Sequence, residues 1–379
     1  MSLSLNIQSA LKQTNIDGWL LTDNPIARRI LKIPNSKHIT RRFFYFCPKE
    51  GEPVKVVHKI EQDVLSHIEG RTVYYAGWRE FQELLKTFIP YKANIAVEIS
   101  QEIPTISYTD GGTISLLHSL GFKVSSSQKL IQLLLSTLTK EQIQSHLYAA
   151  SVVQGAIEEV YENPKSNTEK GLQKQILQYF ERHHCITDHP PIVAFGKNSA
   201  NPHYAPKSEK ATILQGQPLL IDLWCRKNEP DSVYADITRV CFVGDVIDPY
   251  YEEIFQIVLM AQENAIEFLR SRIENKDPVY GYEVDQVARS VIEKAGYGEC
   301  FIHRLGHSID TVLHGMGAHF DSYETYDTRQ ILPNTCYSVE PGIYLTDRFG
   351  VRLETNVLIQ DHKLHITGGM QKKIPKIRI

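Results

Sequence analysis

"QPLLIDLWCRKNEPDSVYADITRVCFVG", residues 217–244, decides how the second half of this chain is read. Two runs rich in aliphatic and β-branched residues flank "RKNEPDS", which is charged and carries Pro230. That pattern predicts two antiparallel strands meeting in a hairpin end. Each strand holds one carboxylate with apolar neighbours on both sides, Asp222 and Asp236. Carboxylates are seldom fully buried unless they are paired or bind metal. A single such residue is equally well read as an outward-facing strand position. The hairpin can set these two side by side.

The arrangement recurs downstream. "TCYSVEPGIYL" and "GVRLETNVLIQ" read as two further strands, joined by "LTDRFG" and carrying Glu340 and Glu354. Four strand carboxylates in one region call for a shared explanation. Gathered at one point they would repel strongly unless cations neutralised them, and oxygen-rich sites suit hard or borderline divalent ions. The period of two places Arg352, Glu354 and Asn356 on one strand face. A histidine from elsewhere would complete a two-metal ligand set.

The stretch "FIHRLGHSIDTVLHG", residues 301–315, offers His303, His307 and His314. His303 and His307 have the i, i+4 spacing that could chelate one ion on a helix. Gly306 weakens a helix there, and Arg304 stands where an HExxH zinc site has its glutamate, so a mononuclear site of that type is disfavoured. No GxSxG is present, and no cysteine sits in a recognisable catalytic context, which argues against serine and cysteine nucleophiles.

Around these motifs the chain predicts two domains. Residues 1–125 alternate short strands ("GWLLT", "RRFFYFC", "PVKVVHK", "TVYYA", "NIAVEI") with helices ("GWREFQELLKTFI", "GGTISLLHSLG"), an α/β domain without a convincing phosphate loop. Residues 126–139 read as a linker. In residues 140–379, an α+β domain, Thr139 and Gln142 fit a capping box ahead of a long amphipathic helix. Lys plus Arg (41) nearly balance Asp plus Glu (44), so no global field points to nucleic acid. Six scattered cysteines without a CxxC pair suggest reduced thiols and a cytoplasmic protein. No apolar run approaches a membrane span, and the N-terminus lacks the pattern of a signal peptide.

Asp222, Asp236 within "DITR", His307 within "HRLGH", Glu340 within "VEPGIY" and Glu354 within "VRLE" together resemble, in order and context, the pita-bread metallopeptidases. That family includes aminopeptidase P, prolidase, methionine aminopeptidase and the non-metal creatinase. The resemblance covers the whole catalytic half. More loosely it extends to residues 1–125, which look like a creatinase/prolidase-type N-terminal domain. It implies an α+β fold with a C-terminal pita-bread catalytic domain behind an N-terminal α/β domain.

The resemblance also implies roles. Asp222 would bind one metal, Asp236 and Glu354 would bridge two, and His307 with Glu340 would hold the second. The cofactor would be two divalent ions sharing a water or hydroxide, manganese first, cobalt or zinc as alternatives. Glu340 would move the proton toward the leaving amine. His203 and His314 would act on the bound substrate, His303 would shape its pocket, and Arg352 would sit beside the bridging carboxylate. For each of these histidines the competing reading is a loop residue held by hydrogen bonds, and for Arg352 a surface strand position. Thr238 could hydrogen-bond a ligand carboxylate, or be a plain strand residue.

The implied activity is hydrolysis of the bond between an N-terminal residue and proline, in a dipeptide or longer peptide, by a homodimer without nucleic-acid or membrane partners. The alternatives are a creatinase-like hydrolase without metal and an inactive module that binds peptides or proteins. Retention of all five ligand positions disfavours both. The chain departs from the family pattern at Asp310, Asn334 and Thr355, where glycine, glycine and an acidic residue are usual, and in a longer loop between Asp222 and Asp236. Of these, Asp310 is the residue the resemblance does not explain.

Overall fold

The computed structural model describes residues 2–34, 36–206 and 212–379. It divides into two compact units, Met1–Leu135 and Ser136–Ile379.

In the first unit the elements run α1 (Leu3–Lys12), β1 (Gly18–Thr22), α2 (Pro25–Ile30), β2 (Phe44–Pro48), β3 (Val54–His58), β4 (Arg71–Tyr75), α3 (Trp78–Phe88), β5 (Asn94–Val97), α4 (Gly111–Ser119), β6 (Lys123–Ser126) and α5 (Gln128–Leu135). The strands form one mixed sheet in the order β4-β3-β2-β1-β5-β6. Phe44, Phe46, Val56, Phe81, Leu85 and Ile95 pack its core. The stretch expected to be a linker contains α5, which packs on α1 within this unit. Side-chain caps start the helices: Ser2 for α1, Asn24 for α2 and Asp110 for α4.

The second unit begins with α6 (Lys140–Glu162), whose capping box at Thr139 and Gln142 is formed in both directions. There follow α7 (Glu169–Arg182), β7 (Cys185–Ile186), β8 (Ile192–Phe195), β9 (Gln217–Lys227), β10 (Ala235–Val243), α8 (Pro249–Glu274) and α9 (Gly281–Lys294). Then come β11 (Ser308–Ile309), β12 (Thr335–Val339), β13 (Gly342–Leu345), β14 (Phe349–Arg352), β15 (Thr355–Gln360), β16 (Lys363–Thr367) and β17 (Lys376–Ile377). One sheet runs β17-β10-β9-β7 with β8 also paired to β9, a second runs β11-β12-β15-β16, and β13 pairs β14. Helices α6 and α7 bury their apolar faces on β9 and β10 around Val153, Ile157, Ile221 and Ile237. Helices α8 and α9 cover the second sheet and the β13–β14 hairpin through Phe255, Val258, Tyr337 and Val357. This is the α+β pita-bread architecture expected from the sequence.

Two local expectations change. The hairpin of β9 and β10 pairs Asp222 with Thr238 and Asp236 with Trp224, so the two aspartates are diagonal neighbours on one face instead of direct partners. The two glutamate-bearing strands are each broken at the glutamate. Glu340 follows β12 and precedes Pro341, which cannot donate to a ladder, while Glu354 stands between β14 and β15. Val339 pairs with Thr355 on one side of the break and Gly342 with Arg352 on the other. The break lets one pair of chain segments serve two sheets and leaves both glutamates at the junction.

Glu98 in the first unit supplies a test. It is fully buried, and its carboxylate accepts Trp19 Nε1 (2.7 Å) and Asn24 Nδ2 (2.8 Å). Burial outweighs these bonds and pushes its pKa up to about 7. The folded state therefore holds a proton that the unfolded chain releases from about pH 4.3 upward. Its stabilising contribution is complete below that pH and is lost as pH rises through about 7, on the order of 3 kcal/mol. Glu98→Gln should flatten this part of the stability–pH curve, read by denaturant unfolding at about pH 5 and about pH 8. An unchanged slope would reject the assignment.

Candidate active site

All five carboxylate and histidine positions named from the sequence line a single cavity of about 620 Å³ in the second unit. Asp236, His307 and Glu354 each place a ligand atom within 4.8 Å of the others'. Glu340 Oε1 lies 3.5 Å and Asp236 Oδ2 3.6 Å from His307 Nε2. Asp222 joins the group through shared partners. Thr238 Oγ1 is 3.0 Å from Asp222 Oδ1 and 2.8 Å from Glu354 Oε2, and Arg352 Nη2 donates to Asp222 Oδ2 at 2.5 Å.

The backbone locks these positions. Asp236 N donates to Asn356 Oδ1 and its carbonyl accepts Asn356 Nδ2, tying β10 to β15. Glu354 N donates to Thr238 O, and Glu340 N to Leu305 O. The Arg239 guanidinium clamps the Glu354 carbonyl from behind. Gly306 permits the histidine segment to approach, since a Cβ there would meet the Ser338 carbonyl oxygen at 2.1 Å.

The donor set fits cations. His307 Nδ1 lies 3.1 Å from the Ser308 carbonyl, which can only accept, so Nδ1 carries the proton and Nε2 presents its lone pair to the carboxylates. Burial and the charges of His314 and Arg304 keep the ring neutral. A backbone carbonyl holding the far nitrogen is the usual outer support of a metal-bound histidine. Asp236 Oδ1 and Glu354 Oε1 are buried and have no hydrogen-bond partner among the described residues. Burial, then the neighbouring carboxylates, drive the pKa values of Asp236 and Glu354 far up, and burial pushes Glu340 up to about 7. Acceptors face acceptors across a short gap, an arrangement that divalent cations resolve.

The remaining residues fall into distinct settings. The ring of His314 stands edge-on to that of His307 with centroids 4.5 Å apart, on the cavity wall. His203 is exposed on the same wall. His303 also lines the cavity, but both its nitrogens are engaged: Nδ1 with the Arg304 carbonyl (2.7 Å) and Nε2 with Tyr344 Oη (2.8 Å). Tyr344 Oη in turn accepts Arg352 Nη1 at 2.8 Å, so one chain of bonds runs His303–Tyr344–Arg352–Asp222. Arg352 Nε donates to Thr238 Oγ1 at 3.0 Å. The i, i+4 spacing of His303 and His307 carries no helical meaning, because residues 301–307 are irregular. Sequence reasoning passed over Tyr344, Trp224 and Asp188; Trp224 Nε1 donates to Asp188 at 2.7 Å on the cavity wall. For Trp224 a signal existed, since it follows Asp222 by two and shares its strand face.

Asp310 has a structural account. It is fully buried, and its carboxylate accepts Val312 N (2.8 Å) and Met316 N (3.3 Å), closing the loop that carries His314. Its own carbonyl accepts Tyr234 N just before β10. A Cβ on Gly315 would stand 2.8 Å from Asp310 Oδ2, so the loop closes tightly only over glycine.

A model of metallopeptidase family M24 matches residues 144–361. An Xaa-Pro dipeptidase from Pyrococcus furiosus is 30% identical over 262 residues, 66% of this chain and 70% of that one. One from Lactobacillus helveticus is 37% identical over 163 residues, 43% and 40% of the two chains. Among solved structures, a prolidase from Thermococcus sibiricus aligns with a TM-score of 0.70 at 22% identity, covering 99% of this chain and 98% of that one. A dipeptidase from Mycobacterium ulcerans aligns with a TM-score of 0.74 at 20% identity, covering 100% and 97%. A buried carboxylate–imidazole cluster in a pita-bread fold defines a metal-dependent hydrolase. The chain belongs to metallopeptidase family M24 and is an enzyme of the metallo-exopeptidase class.

Two variants test this geometry. His307→Ala should lower bound divalent metal by about one ion per chain with the circular dichroism spectrum unchanged, as expected when one of few ligands is lost; undiminished metal by mass spectrometry would refute the ligand assignment. Asp310→Ala strands two loop amides and should cost about 2 kcal/mol, seen as a lowered denaturant midpoint.

Proposed function

We propose that this enzyme hydrolyses the peptide bond between an N-terminal residue and proline, as an Xaa-Pro dipeptidase or aminopeptidase using two divalent ions. The observation that carries the reading is the cluster of buried carboxylates around His307: Asp236 Oδ2 and Glu340 Oε1 stand 3.6 and 3.5 Å from its Nε2, and Asp236 Oδ1 and Glu354 Oε1 have no hydrogen-bond partner among the described residues. Relatives named Xaa-Pro dipeptidase support the substrate class. Asp222, Asp236, His307, Glu340 and Glu354 would hold the ions. Manganese is proposed first, because four carboxylates to one imidazole suit a hard cation; cobalt and zinc are the alternatives. When bound, such ions lower the pKa of water and polarise the scissile carbonyl.

The chain's own groups divide the remaining work. Glu340, with Oε1 held by Ser338 Oγ at 3.0 Å, would take a proton from the attacking water and pass it to the leaving nitrogen. His314, whose pKa is lowered by burial, would offer an N–H to the developing oxyanion. His203 would close the substrate pocket from the exposed side. Arg352 would hold Asp222 in orientation while bonded to Tyr344, with His303 completing that chain of bonds at the pocket wall.

The six free cysteines support a reducing, cytoplasmic setting. Among the described residues no helix is long and apolar enough to cross a membrane. A homodimer is proposed from the family resemblance.

Hydrolysis of an Xaa-Pro dipeptide and of a longer Xaa-Pro peptide, each with manganese and with chelator, is the direct assay. Cleavage that chelator abolishes is expected. Failure to cleave either substrate with any of the three metals would sink the reading.

A further inference from the structure

Strand β7 is a two-residue edge strand that pairs antiparallel with β9, with Cys185 opposite Lys227 and Ile186 opposite Arg226. Cys225 precedes Lys227 by two residues, so it shares the sheet face of Cys185 and is its diagonal neighbour. Both side chains are buried in the apolar core that α6 and α7 build on this sheet. The two thiols are in hydrogen-bond contact, with Cys225 donating to Cys185.

The two thiols are unequal. The bond from Cys225 holds Cys185 below the usual thiol range in spite of its burial, and the ammonium of Lys227 acts in the same direction. Burial, and then that same bond, pushes Cys225 far up. Cys185 also lines a groove of about 580 Å³ together with Phe180, His184, Ile186 and Asn228, whereas Cys225 has no exposed surface. A small oxidant therefore meets Cys185 first. An ionisable outer thiol backed by a buried partner is the arrangement of an attacking and a resolving cysteine.

The pair sits behind the cavity wall. Trp224, one residue before Cys225, lies on the opposite face of β9, where its Nε1 donates to Asp188 Oδ1 at 2.7 Å and both residues line the active cavity. Asp188 is three residues beyond Cys185, and Trp224 pairs across the sheet with Asp236. Diagonal neighbours stand about 7–8 Å apart at Cα, whereas disulfides usually span about 4.4–6.8 Å. Closing such a bond draws the short strand β7 along β9 and carries Asp188 with it.

We infer that Cys185 and Cys225 form a reversible disulfide in the presence of hydrogen peroxide, and that this bond shifts the cavity wall at Asp188 and Trp224. In the first step the Cys185 thiolate attacks a peroxide oxygen. An S–O bond forms, the O–O bond breaks, and the departing hydroxide takes up the proton that Cys185 released. The sulfur is oxidised by two electrons to a sulfenic acid, and the peroxide is reduced. In the second step Cys225 attacks that sulfur. The S–S bond forms, the S–O bond breaks, and the hydroxide leaves as water with the Cys225 proton. Two thiols and one hydrogen peroxide thus give one disulfide and two waters.

The test treats the metal-loaded enzyme with hydrogen peroxide, alkylates free thiols in denaturant and maps the peptides by mass spectrometry. Free thiols should fall by two from the six of the untreated chain, with a linked Cys185–Cys225 peptide that dithiothreitol removes. Cys225→Ala should stop at a Cys185 sulfenic acid, trapped by dimedone, and Cys185→Ala should give no linked peptide. Indole emission should change on oxidation, recover with dithiothreitol, and stay constant in Trp224→Phe. Should either alanine variant fail to fold, the wild-type peptide map still decides. Absence of the linked peptide, or pairing of Cys185 with Cys300 instead, overturns the inference. A Cys185–Cys225 bond that leaves the Trp224 emission unmoved overturns it as well, because the movement of the wall is part of it. A change that persists in Trp224→Phe reports general unfolding seen by Trp19 and Trp78, and has the same consequence.

Discussion

Four carboxylates crowded around one neutral imidazole cannot all be ionised in a dry interior unless positive charge is brought among them. Burial first, and then repulsion from neighbouring carboxylates, drives the pKa values of Asp236 and Glu354 upward: Glu354 and Asp222 act on Asp236, and Glu340 and Asp222 act on Glu354. Arg352 supplies one resident cation, but its paired carboxylate is Asp222, at the margin of the cluster. The centre, where His307 Nε2 looks toward Asp236 and Glu340, has no cation paired to it among the described residues apart from that imidazole. That deficit explains why the surrounding framework is so firmly bonded. Asn356 ties β10 to β15 in both directions, and Arg239 and Thr238 hold the Glu354 backbone. A site whose side chains repel one another keeps its shape only if the backbone prevents them from moving apart.

Much of this could be read in the chain, and the limits are physical. Asp222 and Asp236 were visible because apolar neighbours on both sides make a carboxylate anomalous. Glu340 and Glu354 followed for the same reason, although strand periodicity ran straight through the breaks at Pro341 and Leu353. The diagonal offset of the two aspartates depends on hairpin register, which the long "RKNEPDS" connection does not dictate. His307 could not be told from His303 and His314 by local pattern; order and context within a family made that distinction. Two-residue strands such as β7, β11 and β17 carry no periodicity at all, and α5 lay hidden in a stretch expected to be a linker.

Asp310 shows how a departure from a family pattern can be absorbed. A glycine at such a position lets a loop turn without cost, whereas here a carboxylate is buried and its oxygens are spent on the loop's own amides. The loop is then defined by side-chain hydrogen bonds as well as by backbone freedom. Gly315 supplies the close approach that the arrangement still needs. The substitution therefore bears on how rigidly His314 is presented, and only through it on the substrate.

Arg304 and Arg352 make the same residue do opposite things on one cavity wall. Arg352 is 4% exposed with every nitrogen bonded inside the protein, so its charge is consumed in orienting Asp222. Arg304 has its backbone bonded, while its guanidinium donates no hydrogen bond among the described residues and pairs with Glu324 only at 4.0 Å. An arginine's charge is the same in both settings, and what differs is how many donors remain for a ligand. Counting donors against the carboxylates of the cavity thus separates the cation whose charge is consumed inside the protein from the one whose guanidinium donors have no hydrogen-bond acceptor among the described residues. That distinction depends on tertiary placement, and the spacing "HRLGH" alone does not contain it.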